Sequence, residues 1–329
     1  MTPVRSRSIS VVVAAYGHAR FIGQTLDSLL GQSRPPAEVI VINDGSPDDM
    51  SRAVVPYLDR ITYVEQENRG FVAAMNRAVD MATGDYVFPF SSDDWLQPEA
   101  FEFLGAELDR DADVGLVHGG VKYADADGRV VDRPQWVRYP VGKHWNIERL
   151  IRGNYIPGMA VMHRRSALAA AGSHLLDFAA YQDWALWVSV GLSGWSFYGL
   201  DRCVAFYRRH GDNMTDHTSR FQVNRDLEAL AGLLEARYAH VATRRQRRSL
   251  VAVQRQARRK MAFARLADGH RREARRRFGS LLARSGDVKA AVGLLVSLAP
   301  PALCATLVAA DARLMKTHNR AVVRLKQWL

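Results

Sequence analysis

The sequence predicts an α/β fold, a mostly parallel sheet flanked by helices, with a helical basic extension at its C-terminal end. Three observations carry that expectation. Apolar strand-like runs alternate with amphipathic helical segments through the first two thirds of the chain, polar motifs recur where the runs end, and the charge changes sign near Arg220.

Taken in order, "ISVVVAA" is the first strand. Arg5 and Arg7 before it mimic the start of a secretory signal, but the run is short and leads into "YGHARF" rather than a cleavage site. "FIGQTLDSLLGQ" places Phe21, Ile22, Thr25, Leu26, Leu29 and Leu30 on one helical face. The strand "EVIVIND" follows, and Ser46 as N-cap with Pro47 at the first helical position predicts a second helix. Strand "ITYVEQ", helix "FVAAMNRAVDMA" and strand "DYVFPF" come next, with Pro98 opening a further helix. Strand, helix, strand, repeated, implies parallel pairing with helices on both faces.

Ligands of such sheets bind in the crevice beyond the strands' carboxyl ends, where "AAYG", "NDGS" and "SSDDW" all fall. Each motif has an ordinary reading as a turn or cap, and His18 in the first loop reads as a surface residue. Together they bring a stacking ring, Tyr16, an acceptor, Asp44, and a carboxylate pair, Asp93 and Asp94, to one rim. Paired carboxylates suit a hard divalent cation whose other positions take water and phosphate oxygens. Asp183 reads as the N-cap of a helix burying Trp184, Trp187, Val188 and Leu192.

In correct order, "SISVVVAAYGHARFIGQTLDSLLGQSRPPAEVIVINDGSPDD", "ENRGFVAAMNRAVDMATGDYVFPFSSDDWLQPEA" and "YQDWALWVSVGL" resemble the inverting family-2 glycosyltransferases of the GT-A (Rossmann-like) fold, over roughly residues 8 to 215. The resemblance implies that Ala14 and Tyr16 hold the nucleobase of a nucleotide-sugar donor, with UDP the expected nucleotide, and that Asp44 accepts a hydrogen bond from the base. It places Asp93 near the ribose, Asp94 on a Mg²⁺ or Mn²⁺ ion, and Asp183 as the general base that deprotonates an acceptor hydroxyl. "YRRHGDNMT" resembles the segment closing such sites, with His210 as a further metal ligand or on the donor phosphates, and Arg208 or Arg209 assisting there. Gly17, Asn43, Met75 and Ser91 depart from the family pattern, where Asn, Asp, Arg and Asp are common.

The chain of 329 residues is 48% hydrophobic and 24% charged, ordinary for a globular protein. Cys203 and Cys304 form no metal or disulfide pattern and fit a reducing cytosol. From Arg220 on there are 24 Lys and Arg against 7 Asp and Glu, a net of +17, while the preceding part holds 21 against 27, a net of −6. Two regions are therefore expected, a catalytic domain over 1–219 and a helical basic region over 220–329. The most apolar stretch, "AAVGLLVSLAPPALCATLVAA", is broken by Pro300 and Pro301, which argues against a spanning helix. Instead "RRQRRSLVAVQRQARRKMAFARLA" and "RREARRRFGSLLARS" suit helices that pack on the catalytic domain and present a basic face to an anionic membrane surface. A cytoplasmic enzyme, peripheral on the inner membrane face, is the resulting expectation, with a cell-surface glycan or a lipid-linked precursor as acceptor. Clustered arginines also bind nucleic acid, but no recognised motif accompanies them, and no nucleic-acid partner is expected. A sugar-nucleotide nucleotidyltransferase is disfavoured because the first strand ends in "AAYGHA" rather than a Gly-rich phosphate loop.

Overall fold

The computed structural model describes residues 7–131, 139–172, 178, 180–211, 213 and 219–300. Cys304, and the part of the expected basic region beyond residue 300, lie outside the described residues.

The first half alternates as the apolar runs dictate. Strand β1 (Ile9–Ala15) leads to helix α1 (Ala19–Leu30), strand β2 (Glu38–Asn43), a short α2 (Met50–Ala53), strand β3 (Thr62–Glu65), helix α3 (Phe71–Met81) and strand β4 (Tyr86–Ser91). The two-residue strand β5 (Trp95–Leu96) precedes α4 (Ala100–Arg110), and β6 (Val114–Ala124), β7 (Val130–Val131) and β8 (Gly142–His144) follow. Helix α5 (Ile147–Arg152), strand β9 (Val161–Arg164), helices α6 (Arg165–Ala171) and α7 (Gln182–Leu192) and the long strand β10 (Ser196–Arg208) complete the α/β part.

The sheet runs β3-β2-β1-β4-β9-β6-β10-β5, with β7 on β6 and β8 on β10. Strands β3, β2, β1 and β4 pair in parallel, as the crossovers require. The second half is mixed: β9 runs antiparallel to β4 and β6, β10 is parallel to β6, and β5 is antiparallel to β10. Every residue of β1 is buried, because helices cover both faces of a parallel strand. Removing each large apolar side chain there from water is worth about 1.5–3 kcal/mol. On α1 the expected face is the buried one, with Phe21, Ile22, Thr25, Leu26 and Leu29 inside.

Two helix starts before β6 differ from expectation. Ser46 does not cap α2, which begins at Met50, because its hydroxyl accepts the Gly17 amide of the facing loop at 3.2 Å. Pro98 does not open α4, which begins at Ala100; Pro98 lies in the preceding turn, where its carbonyl accepts the Ser33 amide at 2.9 Å.

Helices α8 (Arg220–Arg237), α9 (Arg244–Ala267), α10 (Arg271–Ser285) and α11 (Val288–Leu298) follow. The chain divides into two compact units, one of Met1–His217 with Leu234–Ser249 and one of Thr218–Leu233 with Leu250–Leu329. The second unit has its own core of Ala262, Leu266, Ala274, Phe278, Leu281 and Ala290. Several of its arginines are engaged within the unit: Arg259 pairs with Asp287 at 2.7 Å, and Arg271 and Arg275 each donate at 2.8 Å to the Ser297 carbonyl near the end of α11. Cations suit a helix C-terminus, where the last carbonyls lack intrahelical partners. No described helix is long and apolar enough to cross a membrane.

Candidate active site

The parallel registers align the ends of three strands, since Ala14 lies beside Ile42 of β2 and Ser91 of β4. Beyond them opens a cavity of about 810 Å³, lined among others by Ala14, Tyr16, Asp44, Asp93, Asp183 and Arg209. Six of the eight residues assigned site roles from sequence therefore share one cavity wall. The other two, His210 and Asp94, join that wall through Asp93, the first by direct contact and the second as its neighbour in the chain.

Asp44 is buried, and its carboxylate organises the neighbouring loop. Oδ1 accepts from Gln66 Nε2 at 2.7 Å and from the Arg69 amide at 2.9 Å, and Oδ2 accepts from the Gly70 amide at 2.8 Å. Gly45 is required beside it. It holds φ +66°, and a Cβ there would meet the Asn68 nitrogen at 2.8 Å. Tyr16 is 49% exposed, so its ring is open to stack on a planar ligand.

The acidic turn divides its two carboxylates. Asp94 Oδ1 accepts the Arg208 backbone amide at 2.9 Å, while Oδ2 is buried with no hydrogen-bond partner. Burial, and next to it the charge of Asp93, push its pKa well above the usual carboxylate value. Asp93 faces two imidazoles instead. Its Oδ2 lies 3.0 Å from His210 Nε2 and 4.0 Å from His18 Nε2. Among the described residues the ligand-capable set is His18, Asp93 and His210, whose donor atoms lie within 4.8 Å of one another. Asp94, expected on the metal, is not in that set: its Oδ1 is held by the backbone of β10 and its Oδ2 has no hydrogen-bond partner.

His18 is not the surface residue expected. Gly17 adopts φ +69°, turning the chain so that His18 begins α1 and its Nδ1 meets Ser92 Oγ at 2.8 Å. Its ring stands edge-on to His210, with centroids 5.3 Å apart. Burial lowers the His18 pKa against the opposing pull of Asp93 and so favours the neutral ring.

Arg208 holds the turn from behind. Its Nε donates to the Asp93 carbonyl at 2.9 Å, its Nη1 to the Ala126 carbonyl at 3.0 Å and its Nη2 to Gln24. The guanidinium packs over the rings of Phe21 and Trp95, at 4.5 and 4.7 Å. Trp95, the tryptophan that ends the motif, stacks on Phe206 of β10 at 4.9 Å. Arg208 is thereby a structural clamp, and Arg209 is the arginine that reaches the cavity.

Asp183 is not the cap of α7. Tyr181 holds that position at φ +62°, the only positive φ of a non-glycine among the described residues. Such backbone costs about 1–3 kcal/mol and concentrates at functional sites. Asp183 sits in the first helical turn, where its Oδ1 accepts the Trp184 amide at 2.6 Å. Desolvation raises its pKa to about 6, against those backbone bonds. Met159, Leu186 and Trp187 line the cavity with it, and Gly158 lies alongside, where a Cβ would be in ordinary contact with Oδ2 at 3.4 Å.

Comparison with known proteins adds a family. Residues 10–168 match the model described as glycosyl transferase family 2. Over 207 residues the chain is 27% identical to the putative teichuronic acid biosynthesis glycosyltransferase TuaG of Bacillus subtilis (strain 168), covering 61% of this chain and 78% of that one. Five other curated relatives are matched over only 13% to 37% of their own length. Among solved structures, S. aureus TarS 1-349 with UDP-GlcNAc superposes with a TM-score of 0.59 at 18% identity, over 78% of this chain and 70% of that one. The mannosyltransferase PcManGT from Pyrobaculum calidifontis, in complex with GDP-Man and Mn²⁺, gives a TM-score of 0.56 at 20% identity, over 93% and 85%. At these identities the structures establish a shared fold, the GT-A architecture.

Arg208→Lys keeps the charge but loses the planar fork, leaving the buried Asp93 carbonyl, and with it the Ala126 carbonyl and Gln24, short of donors. It is expected to lower unfolding stability by at least about 2 kcal/mol. A urea midpoint shift at unchanged slope is the measurement.

Proposed function

The chain belongs to glycosyl transferase family 2 through residues 10–168, and from that premise we propose an inverting transfer of a sugar from a nucleotide diphosphate, UDP by expectation, to an acceptor hydroxyl. The observation that carries this reading is the joining, in one cavity, of the Asp93 cluster and a desolvated carboxyl, Asp183. Tyr16 and Ala14 receive the base, Asp44 orders the loop beside it and accepts from its ring nitrogen, and Arg209 meets the diphosphate.

A divalent cation fits the donor set of Asp93 with His210, with Mg²⁺ or Mn²⁺ the expectation from the family resemblance. When bound it supplies charge neutralisation for the departing diphosphate, worth several kcal/mol in the transition state. Asp183 takes the acceptor's hydroxyl proton as that oxygen attacks the anomeric carbon. The bond from that carbon to the diphosphate oxygen breaks on the opposite face, and the nucleoside diphosphate leaves with the electron pair. A pKa of about 6 suits a general base, because the carboxylate predominates at pH 7 and still takes up a proton readily.

The acceptor proposed is a growing cell-surface glycan or a lipid-linked precursor, presented at the inner membrane face. Support comes from the second unit, where α10 is arginine-rich and Val288, Val292, Leu295 and Leu298 of α11 are exposed. In a flotation assay the full chain is expected to rise with anionic vesicles, to stay down with zwitterionic ones, and to lose binding as salt increases.

Asp183→Asn fills the same space but takes no proton. It is expected to bind donor as the parent does while losing at least about two orders of magnitude in transfer rate. Because the carboxyl acts ionised, kcat/KM of the parent should fall as pH drops through about 6. An Asn variant that turned over like the parent would remove Asp183 from the chemistry.

A further inference from the structure

We infer that His18 is a protein ligand of the cation held by Asp93 and His210, and that the resulting two-imidazole, one-carboxylate site selects a first-row transition ion over Mg²⁺. The inference rests on the proposed donor site and adds a residue that no sequence motif marked.

Three geometric facts support it. His18 Nε2 lies 4.0 Å and His210 Nε2 3.0 Å from the same Asp93 oxygen, spacings that one ion between the three atoms can bridge. The other nitrogen of His18 is engaged, since Nδ1 lies 2.8 Å from Ser92 Oγ. With the proton on Nδ1 and donated to that hydroxyl, the Nε2 lone pair points at the carboxylate, the outer-shell arrangement by which metal-binding histidines are oriented. Finally, the backbone that carries the ring is held: His18 is the N-cap residue of α1, and its carbonyl accepts the amides of Phe21 at 2.9 Å and Ile22 at 3.0 Å.

The selectivity follows from ligand chemistry. Mg²⁺ takes oxygen donors and keeps most of its water, so a site giving it one carboxylate oxygen and two nitrogens suits it poorly. Imidazole favours transition ions, and affinity for nitrogen donors rises from Mn²⁺ towards Zn²⁺. Three protein ligands leave open positions, which the diphosphate oxygens of a donor and water can take.

The test uses full-length, chelator-treated protein titrated with Co²⁺ alone, followed by its visible absorption, and with Mg²⁺ by calorimetry. The parent is expected to bind Co²⁺ without nucleotide and at least about tenfold more tightly than Mg²⁺. His18→Ala should weaken Co²⁺ by at least about tenfold and change its spectrum while leaving Mg²⁺ affinity alone. Ser92→Ala, which keeps the ring but frees it, should weaken Co²⁺ by about tenfold or more. It keeps the test decisive if the His18 variant fails to fold. Equal Co²⁺ affinity and spectrum in parent and folded His18 variant would overturn the inference and leave a hydrogen-bonded His-Asp-His group. Failure of the functional reading is separable: a parent that binds Co²⁺ through His18 but transfers no sugar keeps the ligand and loses the activity.

Discussion

The site depends on one buried guanidinium. Arg208 ends β10 with its side chain turned inward, 3% exposed, and ties the Asp93 carbonyl, Ala126 and Gln24 together while its own backbone amide holds Asp94. Burying a cation costs several kcal/mol unless its donors are met, and here the fork is met on three sides and covered by two aromatic faces. The consequence is positional. With the end of β10 pinned to the acidic turn, the residue two places on, His210, falls against Asp93, its side chain fully buried. Loss of the clamp would separate the two halves of the cluster, which come from positions 117 residues apart.

Four carboxylates at one rim acquire four different roles from their surroundings. Asp44 accepts three loop donors, Asp94 is held at one oxygen by the backbone of β10, Asp93 looks at two imidazoles, and Asp183 stands desolvated against apolar side chains. Environment sets what each can do, and burial raises the pKa of the two carboxyls that are most desolvated, Asp94 and Asp183. Asp183, pushed to about 6, is the carboxyl suited to exchange a proton near neutrality.

Much of this was legible in the residues. Strands β1, β2 and β4 are buried on both faces and so read as unbroken apolar runs, and the shared position of their polar ends gave the rim. The mixed half of the sheet was not legible. Strand β10 shifts register against β6 around Gly199, Cys203 and Ala205, so it shows no regular alternation. The caps misread at Ser46, Pro98 and Asp183 share a cause: each residue has the composition of a local cap, but its partner lies across the fold or its place is taken by a neighbour. His18 was invisible for the same reason, since what gives it meaning is Ser92, 74 residues away. The only local hint was Gly17, a glycine free to turn the chain at that point.

The central claim is that this cavity holds a nucleoside diphosphate through a metal seated on Asp93. Calorimetric titration of UDP into metal-free protein, with and without Mn²⁺, tests it most directly. One equivalent of UDP should bind with Mn²⁺ present, bind far more weakly without it, and lose the metal-dependent part in Asp93→Ala while Asp94→Asn, which still accepts the Arg208 amide, retains it. Metal-independent binding, or metal-dependent binding that survives in the Asp93 variant, would contradict the account.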